Sequence, residues 1–277
     1  MASTVNTNTT SMQANLYANI KSKNAEKLLA MLSSGSKLEH AANDAAGLSI
    51  ADKMSAQVQG LGQAVQNSNE SIGLIQTADG AMGGINDNLE RIRTLTLQAS
   101  NGTLSSSDRD IIQKEIDALM ESVDDIATTT KYNGMNLLDG SGGSGGDGTF
   151  VTQSGADAGE TQSVQIADAR TSSLVGTIDV TTASGRSDAL DALDNALNSV
   201  NGIRADLGAA QNALVSNINN ITITQNNTAL AESQIRDVDF AEVSRNFSQA
   251  NMMAQIGSFA QAQSNNLTAS RVAGLLG

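Results

Sequence analysis

The chain has no cysteine, no proline and no tryptophan, and its 277 residues include only two tyrosines, four phenylalanines and one histidine. Without cysteine there is no disulfide, no thiol nucleophile and no thiolate metal site. The lone His40 has no second histidine with which to form a zinc-protease pair on a helix face. It reads as a surface residue between domains. A core this poor in aromatics must be assembled from Leu, Ile, Val, Met and Ala, which suits narrow helical seams better than a broad sandwich. Sixteen basic against 29 acidic residues leave a net charge of −13, which argues against partners such as nucleic acid or an anionic membrane. No window approaches the roughly 18 consecutive apolar residues of a membrane span. Residues 1–7 are polar and lack the apolar stretch of a cleaved signal peptide, so export would need a dedicated machine.

What is present is helical periodicity. Met54, Val58, Leu61, Val65, Ile72, Ile75, Met82, Ile85, Leu89, Ile92 and Leu95 follow one another mostly at steps of three or four. That spacing predicts one helix over residues 43–102, opened by the capping pair Asn43-Asp44 and closed by Asn101-Gly102. Such a helix would be roughly 85 Å long, whereas a compact globule of this chain would have a radius of gyration of about 19 Å. The spacing therefore implies a rod. Gly80, Gly83 and Gly84 interrupt the helix at about 1 kcal/mol each. They would fit a hairpin break, but the stripe resumes in phase beyond them, so they read as small residues admitting a neighbouring helix.

On either side the pattern continues. A helix from Met12 carries Leu16, Ile20, Ala25, Leu28, Met31 and Leu32 and stops at the loop 33–36. Ser105 to Asp108 offers an N-cap with acids in the first turn, before Ile112, Ile116, Leu119, Val123 and Ile126. Tyr132-Asn133-Gly134 ends this helix with a turn, and Asp124-Asp125 reads as a solvated face. Residues 139–148 are Gly/Ser-rich and read as a flexible linker. Residues 149–182, with Val164 and Ile166, are the one β-like part. From Ser187 helix returns, and Leu193, Val200, Leu207, Leu214, Ile221, Thr228 and Ile235 stand seven apart, the period of a coiled coil. Four residues after each, Leu197 and Ile218 are apolar but Arg204, Gln211, Gln225 and Glu232 are not. A last amphipathic helix follows through Val243, Phe247, Ile256, Phe259, Leu267, Val272 and Leu275. The fold class expected is mainly α: an elongated rod of coiled-coil-like helices from both chain ends, with a small β-hairpin region in the middle.

These stretches resemble bacterial flagellin, the flagellar filament subunit, in a short form with a minimal central region. The resemblance rests on 43–50 (Asn-Asp-Ala-Ala-Gly-Leu-Ser-Ile), 76–81 (Gln-Thr-Ala-Asp-Gly-Ala), 132–134 with Leu137-Leu138, 204–209 (Arg-Ala-Asp-Leu-Gly-Ala) and 235–241 (Ile-Arg-Asp-Val-Asp-Phe-Ala). It implies a structural, non-enzymatic and extracellular protein with no cofactor, exported through the flagellar secretion apparatus. An inner terminal coiled-coil domain would comprise residues 1–42 with 236–277. The second helical domain would span 43–235, including linker 139–148 and the β region 149–182. The implied partners are other copies of the chain in a helical homopolymer, an export chaperone, and cap and hook-junction proteins. The alternative is a hook–filament junction protein, which shares the terminal pattern.

Residues implied for assembly are Leu16, Ile20, Leu28, Phe247, Ile256, Phe259, Leu267 and Leu275. The family pattern for recognition by the animal toll-like flagellin receptor falls on Arg91, Leu95 and Glu115, with Thr94 where the family commonly has an acid. Arg91 and Glu115 would equally serve contacts between subunits.

Overall fold

A computed structural model describes residues 7–42 and 44–276, apart from the side chains of Leu275 and Leu276. Long helices from both ends of the chain pack together, and a small β region lies between them in sequence. The elements in order are α1 (Thr9–Ser34), α2 (Ala45–Ala99), α3 (Ser106–Thr129), β1 (Lys131–Tyr132), β2 (Met135–Asn136), β3 (Thr149–Gln153), β4 (Thr161–Gln165), α4 (Thr171–Leu174), α5 (Ala183–Arg236) and α6 (Phe240–Leu276). The chain forms two compact units: residues up to Ala56 with those from Asn227 onward, and Gln57–Asn226.

The unit Gln57–Asn226 is built on a heptad seam. Along α2, Leu61, Ala64, Ser68, Ile75, Ala78, Met82, Ile85, Leu89, Ile92, Thr96 and Ala99 are buried, keeping to one repeat of alternating three- and four-residue steps. The helix is continuous through its glycines. A β-carbon on Gly84 would sit 3.6 Å from Ile126, whereas Gly80 and Gly83 face open space. The close helix approach expected at those two residues is therefore absent. On α5, Leu193, Val200, Leu207, Leu214 and Ile221 are buried as the seven-residue repeat requires. Their fully buried companions lie on the other side from the one read in the sequence. Ala189 and Ala196 are buried and Ile203 and Ala210 are packed against the core, three residues after or four before the repeat, and the alanines leave room for a close neighbour. Arg93 pairs with Asp194 at 2.7 Å and Arg204 with Asp79 at 2.8 Å across α2 and α5.

Helix α3 starts with a capping box. The Ser105 hydroxyl accepts from the Asp108 N–H at 3.2 Å, and the Asp108 carboxylate accepts from the Ser105 N–H at 3.0 Å. The Ser105 hydroxyl also donates to the Asp108 carboxylate at 2.8 Å, and this bond, with the one from the Ser105 N–H, holds the Asp108 carboxyl below its ordinary value. Asp124 is not a merely solvated residue. Its carboxylate accepts from the Thr171 N–H and hydroxyl, each at 2.8 Å, and so fixes the start of α4. Gln113 docks the segment after α4, donating to the Ile178 carbonyl at 2.9 Å and accepting from the Val180 N–H at 2.8 Å.

The turn at Asn133-Gly134 is a two-residue hairpin joining β1 and β2, with both residues left-handed (φ 49° and 79°) as a primed turn requires. β3 and β4 pair antiparallel with Phe150 opposite Val164, and Ile166 is buried just beyond the strand. The β structure ends there; residues 171–174 are helical and 175–182 form no strand. The Gly/Ser stretch 139–148 is a folded loop rather than a flexible linker. Gly148 N–H donates to the Gly142 carbonyl at 2.9 Å, and Gly143 bridges to Thr149. A β-carbon on Gly142 would meet Phe150, and one on Gly143 the Thr149 carbonyl. Glycine is needed here for close packing.

Candidate assembly surface

In the other unit, α1 and α6 run antiparallel. At one level the Asn8 amide donates to the Thr268 hydroxyl at 2.9 Å and to the Ser264 carbonyl at 3.2 Å. At the far end Lys37 N–H donates to the Arg236 carbonyl at 2.7 Å, and Ser36 bridges to Asp237. Between these anchors the register sets Ala18 against Gly257. The start of α1 is fixed by Asn8, whose side chain accepts from the Ser11 N–H at 3.0 Å, and its end by Gly35 in the left-handed conformation.

The residues that fill this seam are small. Ser11 and Ala25 on α1 and Ala250 on α6 are buried, and Ala14, Ala18, Ala254, Gly257, Gln261, Ser264 and Thr268 are half-buried. Small side chains bring two helix axes close, but they bury little apolar area. Many of the large apolar side chains of the same helices point outward, although Leu28, Met31, Leu32, Val243 and Phe247 are half-buried. On α1, Met12, Leu16, Tyr17, Ile20 and Leu29 are exposed. On α6, Met252, Met253, Ile256, Leu267 and, at 74%, Phe259 are exposed. Met12, Leu16 and Ile20 stand four apart, and Met252, Ile256 and Phe259 four and then three apart, so each set forms one continuous ridge. An open groove of about 490 Å³ runs beside Met12, Leu16 and Gln261. A second of about 480 Å³ lies among Lys21, Lys27, Leu28, Met31 and Met253.

Of the residues expected at an assembly face, Leu16, Ile20, Ile256, Phe259 and Leu267 are exposed. Leu28 and Phe247 are half-buried, and the side chain of Leu275 lies outside the described residues. The sequence analysis expects all of these at faces that neighbouring copies cover. In the structure the buried positions of the pair are Ser11, Ala25 and Ala250, with half-buried large residues such as Leu28 and Phe247 beside them. The reading missed Met12, Tyr17, Leu29, Met252 and Met253. The signal available was their three- and four-residue spacing from leucines and isoleucines already picked out.

The three receptor-pattern residues do not form one surface. Arg91 and Glu115 are exposed and paired at 2.6 Å across α2 and α3. Leu95 is 2% exposed and belongs to the helical core. Enclosed in that core, it offers no anchor to a partner. Nearby, Thr94 turns its hydroxyl back to the Glu90 carbonyl at 3.0 Å.

Among the described residues no group of three or more acidic or histidine side chains could hold a metal ion, and no helix is long and apolar enough to cross a membrane. The candidate site is an exposed apolar surface on α1 and α6.

The family model for the bacterial flagellin N-terminal helical region matches residues 5–142, and that for the C-terminal helical region matches residues 190–272. A flagellin of Halalkalibacterium halodurans is 36% identical over 264 residues, covering 94% of this chain and 95% of the relative. A flagellin of Bacillus subtilis is 38% identical over 273 residues, covering 88% of each. A flagellar filament 31.3 kDa core protein of Treponema maltophilum is 34% identical over 277 residues, covering 95% of this chain and 96% of that one. Among solved structures, the crystal structure of Bacillus cereus flagellin superposes with a TM-score of 0.50 at 32% identity, covering 60% of this chain and 94% of that one.

Proposed function

The chain belongs to the bacterial flagellin family, and from that premise we propose that it is the structural subunit of an extracellular flagellar filament, serving motility. Assembly is the whole of its mechanism in this reading. The observation that carries it is the inversion on α1 and α6, where small residues close the seam and Leu16, Ile20, Ile256, Phe259 and Leu267 face outward. A monomer leaves that apolar surface in water. Neighbouring copies that cover it gain about 25 cal/mol for each Å² removed from solvent, and the two helices gain order at the same time.

In this reading the α1–α6 unit is the polymerisation domain of the filament. Export through the flagellar secretion apparatus, an export chaperone, and cap and hook-junction contacts are part of the same proposal. The direct test is polymerisation of the purified chain, seeded with short filament fragments and followed by electron microscopy. Filaments are expected from the unaltered chain and none from Ile256→Asp with Phe259→Asp. Failure of the unaltered chain to polymerise under any seeding condition would overturn the reading.

Recognition by the toll-like flagellin receptor is supported here by Arg91 and Glu115 alone, since these two share an exposed face. It lacks its apolar anchor. The pair suits a polar contact between subunits equally well.

A further inference from the structure

Building on the assembly reading, we propose that Met12, Met252 and Met253 make this surface a redox-gated one: oxidation of their thioethers in the free monomer blocks its entry into the filament. The chain has nine methionines and no cysteine or tryptophan, so the thioethers are its principal targets for a mild two-electron oxidant. Susceptibility then follows exposure. Met12 and Met252 are 64% and 61% exposed, Met253 is 45% exposed, and all three stand on α1 or α6. In the other unit, Met135 on the β1–β2 hairpin is 43% exposed and Met82 is fully buried in the core. The molecule thus holds its own accessible and inaccessible controls.

The placement gives the chemistry its consequence. Met12 shares its ridge with Leu16 and Ile20, and Met252 shares its ridge with Ile256 and Phe259. Met253 and Leu28 line one groove. In the step proposed, a hydroperoxide transfers one oxygen atom to the sulfur. The sulfur loses two electrons, the peroxide O–O bond breaks, and hydrogen peroxide leaves as water. The product sulfoxide is polar and a strong hydrogen-bond acceptor. Covered by an apolar neighbour it has no donor to meet, so burying it costs free energy. Within the monomer it costs little, because these side chains already face water. Oxidation therefore acts on assembly and leaves the fold intact, and a methionine sulfoxide reductase reverses it.

The experiment oxidises the purified full-length monomer with hydrogen peroxide, maps each methionine by peptide mass, and assays seeded polymerisation. The same is done with the triple variant Met12→Leu, Met252→Leu, Met253→Leu, which keeps size, apolarity and helix propensity. Expected is a gain of about 16 Da at Met12, Met252 and Met253 and none at Met82, with unchanged circular dichroism and a loss of polymerisation of at least about tenfold. Treatment with methionine sulfoxide reductase should restore filaments, and the triple variant should polymerise after peroxide as before. Preformed filaments should protect the three methionines. The proposal is overturned if monomer fully oxidised at all three sites polymerises normally, or if the oxidised triple variant also fails. Failure of the untreated chain to polymerise would instead sink the assembly reading on which this rests.

Discussion

Gly257 on α6 stands so close to Ala18 on α1 that a β-carbon built on the glycine would lie 2.9 Å from the alanine methyl and 3.2 Å from its Cα. The pair is a close approach within a seam whose fully buried members, Ser11, Ala25 and Ala250, are small. Gly257→Leu raises helix propensity but overpacks this point against the Ala18 backbone, which typically costs about 1–3 kcal/mol. Hydrogen exchange in α1 and α6 should accelerate, filament yield should fall, and the core of the other unit should be unaffected. Adding Ala18→Gly should recover part of the loss, because the two positions share one space. Unchanged amide protection in Gly257→Leu would show that the two helices do not depend on this contact.

Substitution on the outer ridge should separate folding from assembly. Ile256→Asp with Phe259→Asp places two charges on side chains that are 54% and 74% exposed in the monomer, so its helicity should hold. In a filament each buried unpaired carboxylate would cost several kcal/mol, and filaments should disappear from electron micrographs. Loss of monomer helicity would indicate that these residues support the fold instead.

Leu95→Ala and Arg91→Ala should behave in opposite ways. Leu95 is enclosed by the helical core, so its truncation should cost about 2–5 kcal/mol and lower the melting temperature. Arg91 is 55% exposed in its pair with Glu115, and losing an exposed ion pair costs less than about 1 kcal/mol. A receptor-signalling assay on monomers should accordingly be read with Arg91→Ala and Glu115→Ala. Wild-type stability in Leu95→Ala would contradict the core placement.

The loop 139–148 can be tested with two glycines. Gly146 is left-handed (φ 68°) with open space around it, whereas Gly143 (φ 81°) also has the Thr149 carbonyl where a β-carbon would go. Gly146→Ala should cost about 1–2 kcal/mol from backbone strain alone, and Gly143→Ala clearly more. Denaturant melts compare the two directly. Equal midpoints would mean the stretch behaves as a free linker.

Acid should weaken the middle of the molecule first. Hydrogen bonding from Arg170 holds the Asp168 carboxyl down to about 2 from the ordinary 3.8. Arg93 lowers Asp194, and Thr181 lowers Asp179. A carboxyl depressed in the folded state contributes fully above its ordinary value and loses that contribution as pH falls through the folded one. Melting temperature should therefore decline mainly between about pH 4 and pH 2, and Asp168→Asn should flatten that decline. An identical acid profile in the variant would remove Asp168 from the account.

Much of the fold was legible in the sequence because helix periodicity is local. The seven-residue repeat through Leu193, Val200, Leu207, Leu214 and Ile221 is written in side chains that are all buried, and the Ser105–Asp108 capping box is complete within four residues. The family could be read from the same terminal stretches. What needed the tertiary structure was the choice between faces. On α1 and α6 hydrophobicity alone favours the Leu, Ile and Phe positions as the seam, but the distance between two helix axes depends on the bulk of both partners. That selects Ala18, Ala25, Ala250 and Gly257 for the contact and leaves Leu16, Ile20, Ile256, Phe259 and Leu267 exposed. The burial of Leu95 turns on the core cluster that encloses it, and the order in the Gly/Ser loop on Phe150 and Thr149 closing over it. Periodicity within one segment carries neither fact, because each is decided by residues distant in the chain.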